Sequence, residues 1–464
     1  MSKIKLSDCL LPIVIIGSLA FASCKKFADI PSPTDQFVSE IVFEDDATAK
    51  EAVTGIYADM INFSNTQFSS SGISLYTDLC ADNLSYYTAG ARQLEFLTNN
   101  ITSANHDYIS QNFWDRAYKY IYTANLCMEG LSKLKTNVTP AVKTMLMGEC
   151  KFIRAFCFFQ LVNLFGPVPK TIGTDYRVNE MLGRASVENI YALIKEDLLY
   201  AQEMLSMEYP SAGRVRPNKA AATAFLARVY LYLGDWVNAE TEASKVIESG
   251  KYSLENDLSR VFLDSSKEAI WQLRPVSSIN NTSEGLLILP GSGSAPPTYT
   301  ITNDLYDSFE ATDLRKSNWI ASRMFNSVQI NYPFKYKIKT GNPVKEYYMV
   351  FRLAEQYLIR AEARAQLDKT SASLADLDVI RFRAGFTIPM TAVDKADLLL
   401  KIEKERRLEL FAEWGHRWFD LKRTHRVDAV IGTYKSTWKP DYALWPIPVA
   451  QLRANENLEQ NPGY

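Results

Sequence analysis

The sequence predicts a mainly α protein, a helical-repeat scaffold interrupted by one loop-rich stretch that holds short strands. Three observations predict it. Apolar residues recur at helical spacing over most of the chain beyond about Glu44. One segment has the small-residue spacing of a helix–turn–helix repeat. Between about Ile270 and Val350 that period lapses, and Gly, Ser and Pro accumulate.

The chain begins with a leader that precedes the fold. Lys3 and Lys5 form a positive start, Leu10–Phe21 is an apolar run, and Ala22 and Ser23 precede Cys24. This is the pattern of a signal peptide over residues 1–23. The run is shorter than the ~20 apolar residues a spanning helix needs. Phe21-Ala22-Ser23-Cys24 resembles a bacterial lipobox, with Phe21 in place of the usual aliphatic residue, so Cys24 is the expected lipidation site. Stable anchoring takes more than one acyl chain, palmitate being the common case. Residues 24–40 read as a Pro- and Ser-containing tether. Residues 41–464 read as a single body, with helical parts at 41–268 and 351–464 around a loop and strand insert at 269–350.

Within the body, Met147–Phe165 places Ile153, Phe156, Cys157, Leu161 and Leu164 on one face, and Gly166-Pro167 then stops the helix. Lys219–Leu233 repeats the pattern with Ala222, Phe225, Leu226, Val229 and Leu233. Leu226, Ala227, Tyr230, Gly234-Asp235-Trp236, Ala239 and Ala243 keep the spacing of a tetratricopeptide repeat. A looser pair is Glu355–Gln366 with Ser373–Arg383, and Asn112–Leu131 and Glu188–Leu205 suit further helices. The intervals vary, so the scaffold is a degenerate repeat. In the insert, Ala269–Val276 and Pro333–Thr340 read as short strands. Leu289–Thr300 is a Gly/Ser/Pro loop of a length that marks a place to look for a ligand.

Composition narrows the chemistry. With 51 Lys+Arg against 53 Asp+Glu, the chain lacks the basic excess of a nucleic-acid binder, and no nucleic-acid partner is expected. His106, His416 and His425 are the only histidines, too few for an easy His-based metal centre or Ser-His-Asp hydrolase. Cys80, Cys127, Cys150 and Cys157 have no metal-ligand spacing and read as buried apolar residues. Gly291–Ser294 lacks the Lys-Ser/Thr of a phosphate loop. His416 is expected to hydrogen-bond locally, with Asp420 as the group that could orient it. Glu405, Glu409 and Glu413 recur at i, i+4, i+8 and would repel one another on a helix. They read as an interhelical ion-pair network, with Arg406 alongside and Arg360 and Arg364 as partners, rather than as a catalytic pair. No catalytic residue, metal or cofactor is expected.

Five segments then settle a resemblance. KIEKERRLELFAEWGHRWFDLKRT (Lys401–Thr424) closely resembles the hallmark helix of the SusD/RagB family of outer-membrane nutrient-binding lipoproteins. Phe351–Leu367 with Ser373–Gly385, Leu444–Tyr464, Gly148–Pro169 and Ala227–Ala239 resemble other signatures of that family in the same order. The resemblance implies a non-catalytic receptor, lipid-anchored on the outer membrane and facing outward. It also implies a lid on a SusC-like TonB-dependent transporter and an oligosaccharide or other nutrient as ligand. Sugar rings stack apolar C–H faces on aromatics, and their hydroxyls need amides, carboxylates and Arg. Loop residues of those types cluster at Asp82, Asn83, Tyr86, Tyr87 and Arg92, and again at Tyr299, Tyr306 and Trp319. These eight are the candidate ligand contacts, chosen on composition and expected exposure. A peptide-binding tetratricopeptide scaffold and a secreted glycosidase are the other functional classes considered.

Overall fold

The computed structural model describes residues 43–61, 67–88, 90–133, 137–291 and 295–464. The signal peptide, Cys24 and the tether lie outside the described residues, as does most of the Gly291–Ser294 run.

The first helix, α1 (Asp46–Met60), starts where the Asp45 carboxylate accepts the N–H groups of Ala47 and Thr48 at 2.8 Å. Two shorter helices follow, α2 (Gly72–Cys80) and α3 (Ala91–Thr98). The scaffold proper is a run of seven: α4 (Asp115–Ser132), α5 (Pro140–Phe165), α6 (Val187–Met204), α7 (Lys219–Tyr232), α8 (Trp236–Glu248), α9 (Leu353–Gln366) and α10 (Thr370–Arg383). Each packs against the one before it. α11 (Lys395–Leu410) folds back onto α9, and α12 (His416–Arg423) and α13 (Val427–Tyr434) follow.

Local chemistry sets these limits. Pro140 sits at the first turn of α5, where its missing N–H costs nothing. Gly166 ends that helix at φ +73°. Asn218 caps α7, accepting the Ala221 N–H at 2.9 Å. Between α7 and α8, Gly234 at φ +70° makes the turn. Ala227, Ala239, Ala243 and Ala363 then meet in one cluster, so small side chains let α7, α8 and α9 approach closely. The tetratricopeptide-like spacing marks this contact.

α5 departs from the one-sided helix its periodicity predicts. Phe152, Phe158 and Phe159 are as buried as Ile153 and Phe156, because α4 and α6 flank the helix and Trp271 and Phe351 from two strands pack on Phe152. Phe152 and Phe156 both meet Trp271 edge-on, with centroids at 4.9 and 5.3 Å. Burying each such ring contributes about 2–3 kcal/mol.

The strands form four two-stranded antiparallel pairs. In chain order they are β1 (Leu84–Tyr86), β2 (Val168–Pro169), β3 (Arg184–Ala185), β4 (Ala269–Leu273), β5 (Tyr299–Ile301), β6 (Ile320–Phe325), β7 (Val328–Pro333) and β8 (Tyr348–Arg352). The pairs are β1–β5, β2–β3, β4–β8 and β6–β7. β4 lies in the segment expected to be a strand. The expected strand Pro333–Thr340 does not form beyond Pro333. Its N–H groups at Lys337 and Ile338 bond the Glu346 carboxylate at 2.7 and 3.0 Å instead of a neighbouring strand. The β6–β7 hairpin lies ahead of it, turning at Asn326 and Ser327, both with positive φ.

The expected single helix Lys401–Thr424 is two helices. Between them Ala412, Trp414 and Gly415 adopt φ of 55°, 43° and 76°. α2 supplies the hydrogen bonds this break needs: the Asp78 carboxylate accepts the Ala412 N–H at 2.7 Å, and the Ser74 hydroxyl accepts the Trp414 N–H at 3.0 Å. Glu413 therefore lies in the break, beyond the helix that carries Glu405 and Glu409.

These three carboxylates do form a buried ion-pair network, but with partners other than Arg360 and Arg364. Arg315 reaches Glu405 at 2.6 Å and Glu409 at 3.0 Å. Arg352 reaches Glu409 at 2.6 Å and Glu413 at 2.8 Å. Arg383 bridges Glu268 and Glu409, and Lys335 holds Glu413 at 2.5 Å. Arg360 and Arg364 instead share Asp376. Packing sets the difference: α10 follows α9 directly, so its Asp376 meets them first. Arg406 pairs with Asp420 at 2.8 Å, and Arg423 takes the other Asp420 oxygen at 2.7 Å. Asp420 is thus committed to arginines and does not orient His416. His416 is buried, and burial together with nearby Arg228 and Arg406 holds its imidazole well below the usual range.

Candidate functional site

A pocket of about 370 Å³ opens where the two sequence clusters meet. What joins them is the β1–β5 pair, in which Leu84 faces Ile301 and Tyr86 faces Tyr299. The register is set at both ends. Thr302 donates its N–H to the Asn83 carbonyl at 3.0 Å and its hydroxyl to the Asp82 carbonyl at 2.7 Å. At the other end the Tyr87 N–H bonds the Thr298 carbonyl at 3.0 Å.

Tyr86 and Tyr299 then stand side by side, edge to face, at 4.9 Å between centroids. Tyr299 is buried and Tyr86 half-buried, so Tyr86 offers the accessible ring surface. Burial pushes both phenols above their usual pKa, keeping each hydroxyl protonated as a donor. Arg92, near the start of α3, places its guanidinium 4.0 Å over the Tyr108 ring and lines the pocket with Gln93. The opposite wall is apolar: Leu286 and Leu287 from the short helix Ser283–Ile288, then Leu289 and Pro290. Pro296 and Thr298 close the remaining side, and Lys339 completes the rim.

Of the eight sequence candidates, Tyr86, Arg92 and Tyr299 line this pocket. Tyr87 is exposed beside it and packs edge-on against Phe325 of the β6–β7 hairpin at 5.5 Å. Tyr306 lies on the short helix Asn303–Ser308, under the Lys316 ammonium at 4.0 Å, and is not among the lining residues.

Four candidates chosen as exposed are buried; Tyr299 still lines the pocket, but Asp82, Asn83 and Trp319 do not and need correction. Asp82 receives both Nε and Nη2 of Arg417 at 2.7 Å and is also 3.1 Å from Arg407. Burial opposes its ionisation, yet the Arg417 contact prevails and holds the carboxyl below its usual range. Asn83 accepts from Arg407 at 3.0 Å. Together they tie the β1 loop to α11 and α12. Trp319 is fully buried, donating its indole N–H to the Leu258 carbonyl at 3.0 Å with Lys335 over its ring. Loop composition matched binding chemistry at these positions, but buried arginines had already claimed the carboxylate and amide.

Composition missed Tyr76, Gln93, Leu286, Leu287 and Lys339. Tyr76 is buried and serves as pocket wall and core at once, while Leu286 and Leu287 are half-buried. The Gly/Ser/Pro loop was the available signal for the far wall.

Glu405, Glu409 and Glu413 are locked in ion pairs away from the pocket, so no carboxylate pair of a glycosidase arises from them. Among the described residues, no group of three His, Cys, Asp or Glu side chains is placed to hold a metal ion. Cys80, Cys127, Cys150 and Cys157 are free and buried.

Comparison with known proteins places the fold. Residues 26–231 match a family model described as starch-binding and associating with the outer membrane, and residues 298–464 match that of the SusD family. SusD-like protein P25 of Formosa agariphila is 25% identical over 97% of this chain and 99% of its own length. A SusD superfamily protein from Bacteroides vulgatus superposes with a TM-score of 0.79 at 20% identity, covering 91% of this chain and all of the other. A laminarin-binding SusD-like protein superposes with a TM-score of 0.75 at 22% identity, over 91% of this chain and 100% of that one. The two family matches together take in most of the chain, with β1 in the first and β5 in the second, so the chain belongs to the SusD/RagB family.

Proposed function

We propose that this protein is a non-catalytic, cell-surface glycan receptor, anchored in the outer membrane through acylated Cys24. It presents oligosaccharide to a SusC-like TonB-dependent transporter. The observation that carries the reading is the pocket itself, in which an accessible Tyr86 ring stands opposite an aliphatic wall and beside the polar ends of Arg92 and Gln93. A pyranose has the matching character, an apolar C–H face edged by hydroxyls. Family membership supports it, since the matching model describes starch binding at the outer membrane and a relative of the same fold binds laminarin. No helix among the described residues is long and apolar enough to cross a membrane, which is compatible with a lipid-held body.

Calorimetry of the purified lipoprotein against a glycan panel tests the binding. At least one oligosaccharide should bind, and Tyr86→Ala should weaken it about tenfold, the scale of one lost ring contact. Turnover of polysaccharide by the pure protein, or binding of peptides with no glycan bound, would overturn the reading. The anchor is checked separately by fractionation: Cys24→Ala should move the protein out of the membrane fraction, and retention there would refute lipid anchoring at Cys24.

A further inference from the structure

The pocket has an uneven charge that a receptor for neutral sugar does not need. Its charged lining side chains are Arg92 and Lys339, and no Asp or Glu lines it among the described residues. The cations of the buried network are closely matched by carboxylates, whereas Lys337, Lys422 and Lys435 are held by backbone carbonyls. In the buried network around α11, Arg315, Arg352, Arg381, Arg383 and Lys335 face Asp313, Glu268, Glu405, Glu409 and Glu413. Arg92 and Lys339 form no ion pair among the described residues.

Acids close in sequence to the lining residues are occupied or neutral, including Glu346, which accepts the Lys337 and Ile338 N–H groups. Glu95, one turn along α3 from Arg92, gives its carboxylate to the Thr102 N–H and hydroxyl at 2.8 and 2.7 Å. Asp304, beyond β5, pairs with Arg407 at 2.7 Å. Glu284, on the helix that supplies Leu286 and Leu287, is buried, and burial pushes its carboxyl up to about 8, so it brings little negative charge at neutral pH. Burial also draws the Lys339 ammonium below its usual pKa, with no carboxylate acting to restore it.

We propose that the pocket takes an anionic oligosaccharide, one bearing carboxylate or sulfate groups, received by Arg92 and Lys339 while a ring face lies on Tyr86. The proposal rests on the glycan-receptor reading above and narrows its ligand class. A neutral glycan closing over the pocket would strip water from both cations and return no counter-charge, which is costly. An acid-bearing one would return charge-assisted hydrogen bonds, bidentate in the case of the guanidinium.

The test is titration calorimetry of the intact lipoprotein with three probes of equal length: a neutral hexasaccharide, a hexauronate and a sulfated hexasaccharide. At low salt, at least one anionic probe should bind about tenfold or more tighter than the neutral one, and whichever is tighter identifies the group. That advantage should shrink in high salt as screening sets in. It should fall to within about twofold in the double variant Arg92→Gln with Lys339→Gln, whose folding is checked by circular dichroism. Equal or tighter binding of the neutral probe, or an advantage that survives the double substitution, would overturn the charge assignment. Neutral and anionic probes bound equally, and both weakened by Tyr86→Ala, would sink only that assignment. No saccharide bound at all would sink the receptor reading itself.

Discussion

Glu409 sits among three guanidinium groups, those of Arg315, Arg352 and Arg383, with no exposure to solvent. Burial opposes its ionisation, but the arginines prevail and hold the carboxyl well below the ordinary range. Removing it leaves buried positive charge in excess, which costs far more than the pair's net worth. Glu409→Ala should therefore lose about 3–5 kcal/mol in urea unfolding; a loss under about 1 kcal/mol would show the network to be dispensable. The i, i+4, i+8 spacing of acids made such a network legible from the sequence, because like charges so placed need partners. The partners themselves were not legible. Arg315, Lys335 and Arg352 arrive from the insert and β8, and nothing local to α11 announces them. Asp82 and Asn83 fail for the same reason: their arginines lie more than 320 residues away in the chain.

The helices were legible wherever a 3.6-residue period ran into a glycine or a capping residue, as at Gly166 and Asn218. Three elements escaped. Lys401–Thr424 keeps helical composition through its break, because the force that breaks it lies on α2, where Asp78 and Ser74 capture backbone N–H groups. The alternation in Lys335–Lys339 mimics a strand, but Lys335 is drawn into the acidic cluster and Glu346 satisfies the backbone that a neighbouring strand would have paired. Both errors are tertiary contacts overriding a local pattern. The β6–β7 hairpin escaped for a smaller reason, since Asn326-Ser327 is a weaker turn signal than Asn-Gly.

At the scale of the whole molecule, buried carboxyls give stability a pH dependence. Burial pushes Asp78 and Glu346 up to about 7 and Glu284 to about 8. Each therefore keeps its proton in the folded chain at pH values where the unfolded chain has released it, so stability falls as pH rises from about 5 to about 7. Depressed carboxyls such as Glu409, Glu413, Asp82 and Asp420 act in the opposite sense, and only once pH drops below the ordinary carboxylate range. Lys422, pushed down to about 7, begins to compensate above that value, and His106 and His416, held below the usual imidazole range by burial, offset part of the fall below about pH 6.5. Urea midpoints should thus be higher near pH 5 than near pH 7, with a shallower slope in Asp78→Asn; a midpoint rising across that interval would contradict the assignment. The β1–β5 pairing has a consequence for the life of the protein in the cell. It brings together residues 220 positions apart, and contacts so distant in the chain close slowly and late. The pocket lacks its full wall until the chain has folded through Lys339. A chain folded only as far as β1 therefore has no pocket to offer any ligand.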